Sequence, residues 1–170
     1  GMSLRHISLS TCGVVPRIYD LAELKTGLTL SISLHAATDA RRSEIMPINR
    51  KYHLDELMKA CRYYFDKTGR RISFEYSLIE GVNDTEQSAQ ELIDLLGGFM
   101  CHVNLIPINE ISERDFRKSR SVEKFQKRLC AAGINATVRR TLGADISAAC
   151  GQLRRDGGMN SAAETSGNPH

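Results

Sequence analysis

Five short stretches of this chain alternate apolar and polar residues with period two, and in all five the second face is polar. In residues 28–35, Leu28, Leu30, Ile32 and Leu34 fall on one face while Thr29, Ser31, Ser33 and His35 fall on the other, because successive side chains of a strand point to opposite sides. Residues 72–79 divide the same way, with Ile72, Phe74, Tyr76 and Leu78 opposing Ser73, Glu75 and Ser77. So do residues 6–10 (Ile7, Leu9 against Ser8, Ser10), 102–106 (Val103, Leu105 against His102, Asn104) and 134–139 (Ala136, Val138 against Thr137, Arg139). Between these candidate strands lie helix-period segments: Leu54, Leu57, Met58, Cys61 and Phe65; Ala89, Leu92, Ile93 and Leu96; Val122, Phe125, Leu129 and Ala132. The turn from Gly81 to Thr85 supplies an N-cap for the second, and Gly97, Gly98 and Gly133 supply stops. Strand and helix in alternation imply parallel strands joined by right-handed crossovers.

The polar faces select among parallel sheets. A strand covered by helices on both sides is apolar on both, so a consistently polar second face predicts a curved sheet whose inner wall lines a wet or ligand-filled lumen. That describes an α/β open, partial barrel rather than a filled eight-stranded barrel or a doubly wound sheet.

The 170 residues, 41% hydrophobic and 25% charged, suffice for one domain with a sizeable core. No apolar stretch approaches the roughly 20 residues that cross a bilayer, and the N-terminus lacks a secretory profile, so the expectation is a cytoplasmic chain with no membrane partner. Five scattered cysteines (Cys12, Cys61, Cys101, Cys130, Cys150) argue for reduced thiols rather than a disulfide framework. The net charge of +3 hides an asymmetry: residues 111–155 hold 11 Lys/Arg against 4 Asp/Glu, a balance of +7. Such a flank suits a phosphate-bearing partner and equally a solvated helix face.

Four motifs stand out: Ser10-Thr11-Cys12-Gly13-Val14-Val15-Pro16, Ser33-Leu34-His35, Asn104-Leu105-Ile106-Pro107-Ile108-Asn109, and the run from Thr141 to Leu153, which holds Cys150 among Ala148, Ala149 and Gly151. Together, over residues 4 to about 155, they resemble the C-terminal portion of the RlmN/Cfr family of radical S-adenosylmethionine (SAM) RNA methyltransferases. The resemblance implies the C-terminal part of an open (β/α)6 radical SAM barrel. It implies that Cys150 is the catalytic cysteine that accepts a methyl group from one SAM; a second SAM, cleaved reductively at a 4Fe-4S cluster, supplies the radical that activates that methyl for transfer to an adenine ring. It implies that Ser10, Ser33, Leu34, His35 and Asn109 contact SAM. From the residues alone, Cys150 also reads as a small buried hydrophobe, the serines and His35 as strand-end caps, Asn109 as a turn residue, and Glu75 with Arg139 as either a structural ion pair or site residues.

The family's cluster loop, Cys-x3-Cys-x2-Cys, is absent from this sequence, so no metal ligand is assigned. The expectation is a fragment of a longer enzyme: an expression remnant at residues 1–3, barrel at 4–155 and a disordered tail at 156–170, rich in Gly, Ser and Asn. Alone it is expected to be inactive and, with an open sheet edge, to self-associate. The resemblance implies part of a methyltransferase acting on carbon 2 of adenosine in 23S ribosomal RNA, and in some relatives transfer RNA, with an electron-donor protein as partner. Its rivals are the antibiotic-resistance type that methylates carbon 8, and a non-catalytic basic RNA-binding module. A phosphate-sugar aldolase or isomerase lacks a lysine on any inner face.

Overall fold

A computed structural model of the chain describes residues 6–79, 81–108 and 120–139. The chain divides into Gly1–Arg140 and Thr141–His170, and all described residues belong to the first unit. The expected boundaries at residues 3, 155 and 156 lie outside the described residues.

All five predicted strands form, as β1 (Ser8–Thr11), β2 (Thr29–Ser33), β3 (Ile72–Ile79), β4 (Cys101–Ile108) and β5 (Asn135–Val138). They make one sheet in the order β1-β2-β3-β4-β5, and every pairing is parallel. Strand order that follows chain order, with right-handed crossovers throughout, places successive helices on the same side of the sheet. Those helices are α1 (Val15–Leu24), α2 (Asp39–Ile45), α3 (Leu54–Thr68), α4 (Glu86–Leu96) and α5 (Arg120–Ala131), with a 3-10 turn at Pro47–Arg50. The last three follow the apolar stripes of the sequence; α1 and α2 are additions.

Local chemistry sets the helix ends. Thr85 caps α4 by accepting from the Ser88 amide at 3.1 Å. Gly69, at φ +65°, closes α3 with its amide on the Phe65 carbonyl. Asp39 accepts from the Leu54 amide at 2.9 Å, which places a carboxylate at the N-terminus of α3, where the helix dipole favours it.

The core is one cluster on the apolar face. Leu30, Ile32, Ile72, Phe74, Tyr76, Val103 and Leu105 pack against Ile18 and Ala22 of α1, Leu57 and Cys61 of α3, Leu92 of α4 and Leu129 of α5. Phe74 sits at its centre with no exposed surface, edge-on to Phe99. The opposite face carries the predicted polar set, and strand register arranges it in rows: Ser33 opposite Glu75, Glu75 opposite Asn104, Asn104 opposite Thr137. Along β1 even the apolar side is half open, with Ile7 40% and Leu9 38% exposed.

Truncating Phe74 to Ala removes the largest central contact, so a loss of about 3–5 kcal/mol is expected. Leu24→Ala, at a side chain 67% exposed, should change stability by less than about 0.5 kcal/mol. Denaturant midpoints at constant slope measure both.

Candidate functional site

Ligands of parallel α/β sheets bind at the carboxyl ends of the strands, and the sequence candidates converge there. Ser10 lies exposed near the end of β1, Ser33 is the last residue of β2, and His35 follows two residues on. Leu34 points the other way: its side chain is fully buried in the core, and only its peptide groups border the site. Asn109 and Cys150 lie outside the described residues, as does most of the basic stretch.

The turn at the end of β2 has an unusual backbone. His35 adopts φ +60° without being glycine, and the Ala36 amide donates to the Leu34 carbonyl at 2.8 Å. A bond spanning two residues around a positive φ is a γ-turn of the rarer, more strained sense. The amides of Leu34 and His35 both donate to the Glu75 carbonyl, at 2.9 and 3.2 Å, so two residues of one strand meet one of its neighbour, as in a bulge. The His35 ring accepts from the Ser77 amide at Nδ1, 3.0 Å. An acceptor at Nδ1 places the proton on Nε2, and among the described residues Nε2 has no partner. Burial, then the charge of Arg42, lowers the His35 pKa to about 4, so the ring is neutral near pH 7.

Two side chains that the sequence did not single out hold this turn. Arg42 of α2 is completely buried. Its Nε donates to the Leu34 carbonyl at 3.1 Å, its Nη2 to the carbonyls of Cys12 at 2.8 Å and Ser33 at 3.0 Å, and its Nη1 to Asn49 Oδ1 at 3.1 Å. Among the described residues no carboxylate lies within ion-pair distance of it; Asn49 instead passes the interaction to Asp39 Oδ1 at 3.1 Å. Gly13 must be glycine beside it, since φ is +105° and a Cβ would stand 3.2 Å from Arg42 Nη2 and 3.3 Å from Leu57. Asn83, also fully buried, donates through Nδ2 to the carbonyls of His35 at 3.2 Å and Ser77 at 2.6 Å, while its Oδ1 accepts from the Ile79 amide at 2.7 Å. Tyr76 donates to the Asn83 carbonyl at 3.0 Å. Asn83 stood in the predicted turn, but a charged α2 without an apolar stripe offered no signal for Arg42.

The inner wall is hydrogen-bonded across strands. Glu75 Oε1 accepts from Ser31 Oγ and Arg139 Nη1, both at 3.4 Å, so Arg139 is the partner of the inward glutamate. Thr137 Oγ1 lies 2.9 Å from His102 Nε2 and donates to Asn104 Oδ1 at 3.2 Å. The described cysteines are all free thiols; burial pushes Cys61 up to about 12 and Cys101 up to about 11, which makes both unreactive. Among the described residues no group of three or more His, Cys, Asp or Glu could hold a metal, and no helix is long and apolar enough to cross a membrane.

No family model matches the chain. Individual proteins do. It is 59% identical over 157 residues to a probable dual-specificity RNA methyltransferase RlmN of Thermoanaerobacter sp. (strain X514), covering 91% of this chain and 46% of that one. The corresponding protein of Caldanaerobacter subterraneus subsp. tengcongensis is 60% identical over 153 residues, covering 89% and 45%, and that of Clostridium perfringens (strain SM101 / Type A) 57% identical over 153 residues. Among solved structures, a radical SAM methyltransferase from Sphaerobacter thermophilus superposes with a TM-score of 0.78 at 46% identity, covering 89% of this chain and 45% of that one. A parallel sheet with one polar face, together with that superposition, makes the described fold similar to that of a radical SAM methyltransferase. More particularly, nine-tenths of the chain is similar to RlmN proteins, and it spans about half the length of the curated relatives it matches.

His35 sets a sign for pH. Its folded pKa of about 4 lies below the unfolded value of 6.5, so the unfolded state takes up the proton first. The stability that this neutral ring contributes is complete above pH 6.5 and falls as pH drops towards 4. Replacing His35 by Gln should therefore flatten part of the loss of stability between those pH values, read as urea midpoints across the range.

Proposed function

We propose that this chain is the SAM-contacting and methyl-carrying portion of an RNA methyltransferase that acts on carbon 2 of adenosine in 23S ribosomal RNA, and in some relatives transfer RNA. The observation that carries the reading is the grouping of Ser10, Ser33 and the neutral His35 at the carboxyl ends of adjacent strands on the polar side of the sheet. The similarity to RlmN proteins supports it. The donor set suits SAM: two hydroxyls that both donate and accept, and one imidazole N–H, can meet ribose oxygens, a carboxylate and purine nitrogens without adding a positive charge beside a cationic sulfonium. SAM supplies the methyl group when bound. Ser10, Ser33, the Leu34 peptide and Asn109 orient it, and His35 donates through Nε2–H.

Cys150 is assigned as the nucleophile that carries the methyl, since a thiolate is the side-chain group best suited to accept an alkyl group and hold it as a thioether. The cysteines of this chain do not fit a 4Fe-4S site, and no step is assigned through one; that chemistry and the reducing partner belong to the longer protein. The reading includes a cytoplasmic location, a reducing protein as electron source, and self-association of the isolated chain through the half-open β1 edge.

In the full-length enzyme, Cys150→Ala should abolish 2-methyladenosine in 23S ribosomal RNA, a loss of more than about 1,000-fold, measured by nucleoside mass spectrometry. Detection of 8-methyladenosine instead would assign the chain to the antibiotic-resistance branch. Salt-dependent RNA binding by a chain that yields no methylated adenosine in any context would favour the basic binding module, for which the +7 balance of residues 111–155 is the supporting feature.

A further inference from the structure

His35, at φ +60°, occupies a strained conformation whose cost must be met by its surroundings. Its polar atoms account for that. The amide donates to Glu75, the carbonyl accepts from Asn83 Nδ2, and Nδ1 accepts from Ser77. The Leu34 carbonyl that closes the γ-turn also accepts from Arg42 Nε. Arg42 and Asn83 are thus two wholly buried polar side chains, one from α2 and one from the loop before α4, that grip the same turn from opposite sides in sequence. Burying a guanidinium without a carboxylate costs several kcal/mol, and a leucine or methionine would fill the same space more cheaply. What the polar pair achieves, and an apolar pair could not, is a ring with one nitrogen satisfied and the other left as a donor.

We propose that Arg42 and Asn83 are positioning residues for His35, which together fix the γ-turn and the Nε2–H tautomer so that the ring presents a single invariant donor to an oxygen or ring-nitrogen acceptor of the bound nucleoside. The identity of that nucleoside as SAM rests on the function proposed above; the fixing of the ring does not. His35 then serves as a fixed recognition element, and Arg42 acts on the ligand only through the carbonyls of Cys12, Ser33 and Leu34.

The test uses the intact chain labelled with nitrogen-15. Imidazole spectra of the wild type near neutral pH are expected to show His35 with an unprotonated Nδ1 and a protonated Nε2, and the Ser77 amide protected from exchange. In Asn83→Ala and in Arg42→Lys the ring is expected to show both tautomers, and the SAM affinity of the full-length enzyme carrying either substitution to fall about tenfold. Leu92→Ala, which removes a core side chain far from the turn in sequence, serves as the stability control and should leave the His35 pattern intact. A variant pattern identical to wild type, in chains that remain folded, would overturn the proposal. Should both variants fail to fold, the wild type decides: a mixed tautomer, or a Ser77 amide exchanging as an open loop does, refutes the fixed ring. A full-length, cluster-loaded enzyme that shows the single tautomer yet binds no SAM refutes the SAM reading and leaves the positioning standing.

Discussion

The architecture depends on one constraint, that a parallel sheet wound in a single direction can be covered on only one side by its own crossovers. With strands in the order β1 to β5 and each crossover right-handed, every helix returns over the same face. That face must then be apolar. Among the described residues no helix meets the other, and serines, Glu75, His102, Asn104 and Thr137 occupy it instead. The ligand-facing wall is therefore a by-product of topology, and specificity has only to choose which polar residues stand at the carboxyl ends.

This is why so much could be read without coordinates. Period-two alternation reports the two faces directly, and all five strands and the shared face of Ser10, Ser33 and Glu75 followed from it. The α3, α4 and α5 stripes were equally plain. What escaped shares a cause. The seven residues of α2 present no apolar stripe, because the side chain they bury is Arg42. In α1 the stripe of Val15, Ile18 and Ala22 is short and opens beside Pro16, so it reads as loop. The positive φ of His35 carries no sequence mark, since the residue is not glycine. Leu34 was grouped with its neighbours by motif, although alternation alone assigns it to the core. Periodicity detects what hydrophobicity orders; polar networks are ordered by pairing, which one sequence does not display.

The buried network also shows how a cation is kept inside a small domain without a direct counter-ion. Arg42 is solvated by three carbonyls that sit where strands end, groups that lose their ladder partners there and require donors. The guanidinium and the strand ends each satisfy the other's unpaired groups, and Asn49 extends the exchange to Asp39 and the start of α3. Removing any one member leaves several buried polar atoms unpaired at once, which is the situation in which polar networks cost most. The same guanidinium contributes to holding His35 neutral, so structural and electronic roles rest on one side chain.

Strand order has a further consequence for stability. Because each strand hydrogen-bonds to the next in sequence, the sheet behaves as a one-dimensional stack in which every unit is stabilised by its nearest neighbours, as in a repeat protein. Stability in such a stack is graded from its middle to its ends. β3 is paired on both sides, over eight residues with β4 and three with β2, whereas β1, four residues long and with Leu9 38% exposed, has one partner among the described residues. Within the described sheet Ser10 therefore stands on the strand held least, while Ser33 and His35 are tied to β3, so the polar face has a firmer and a weaker half.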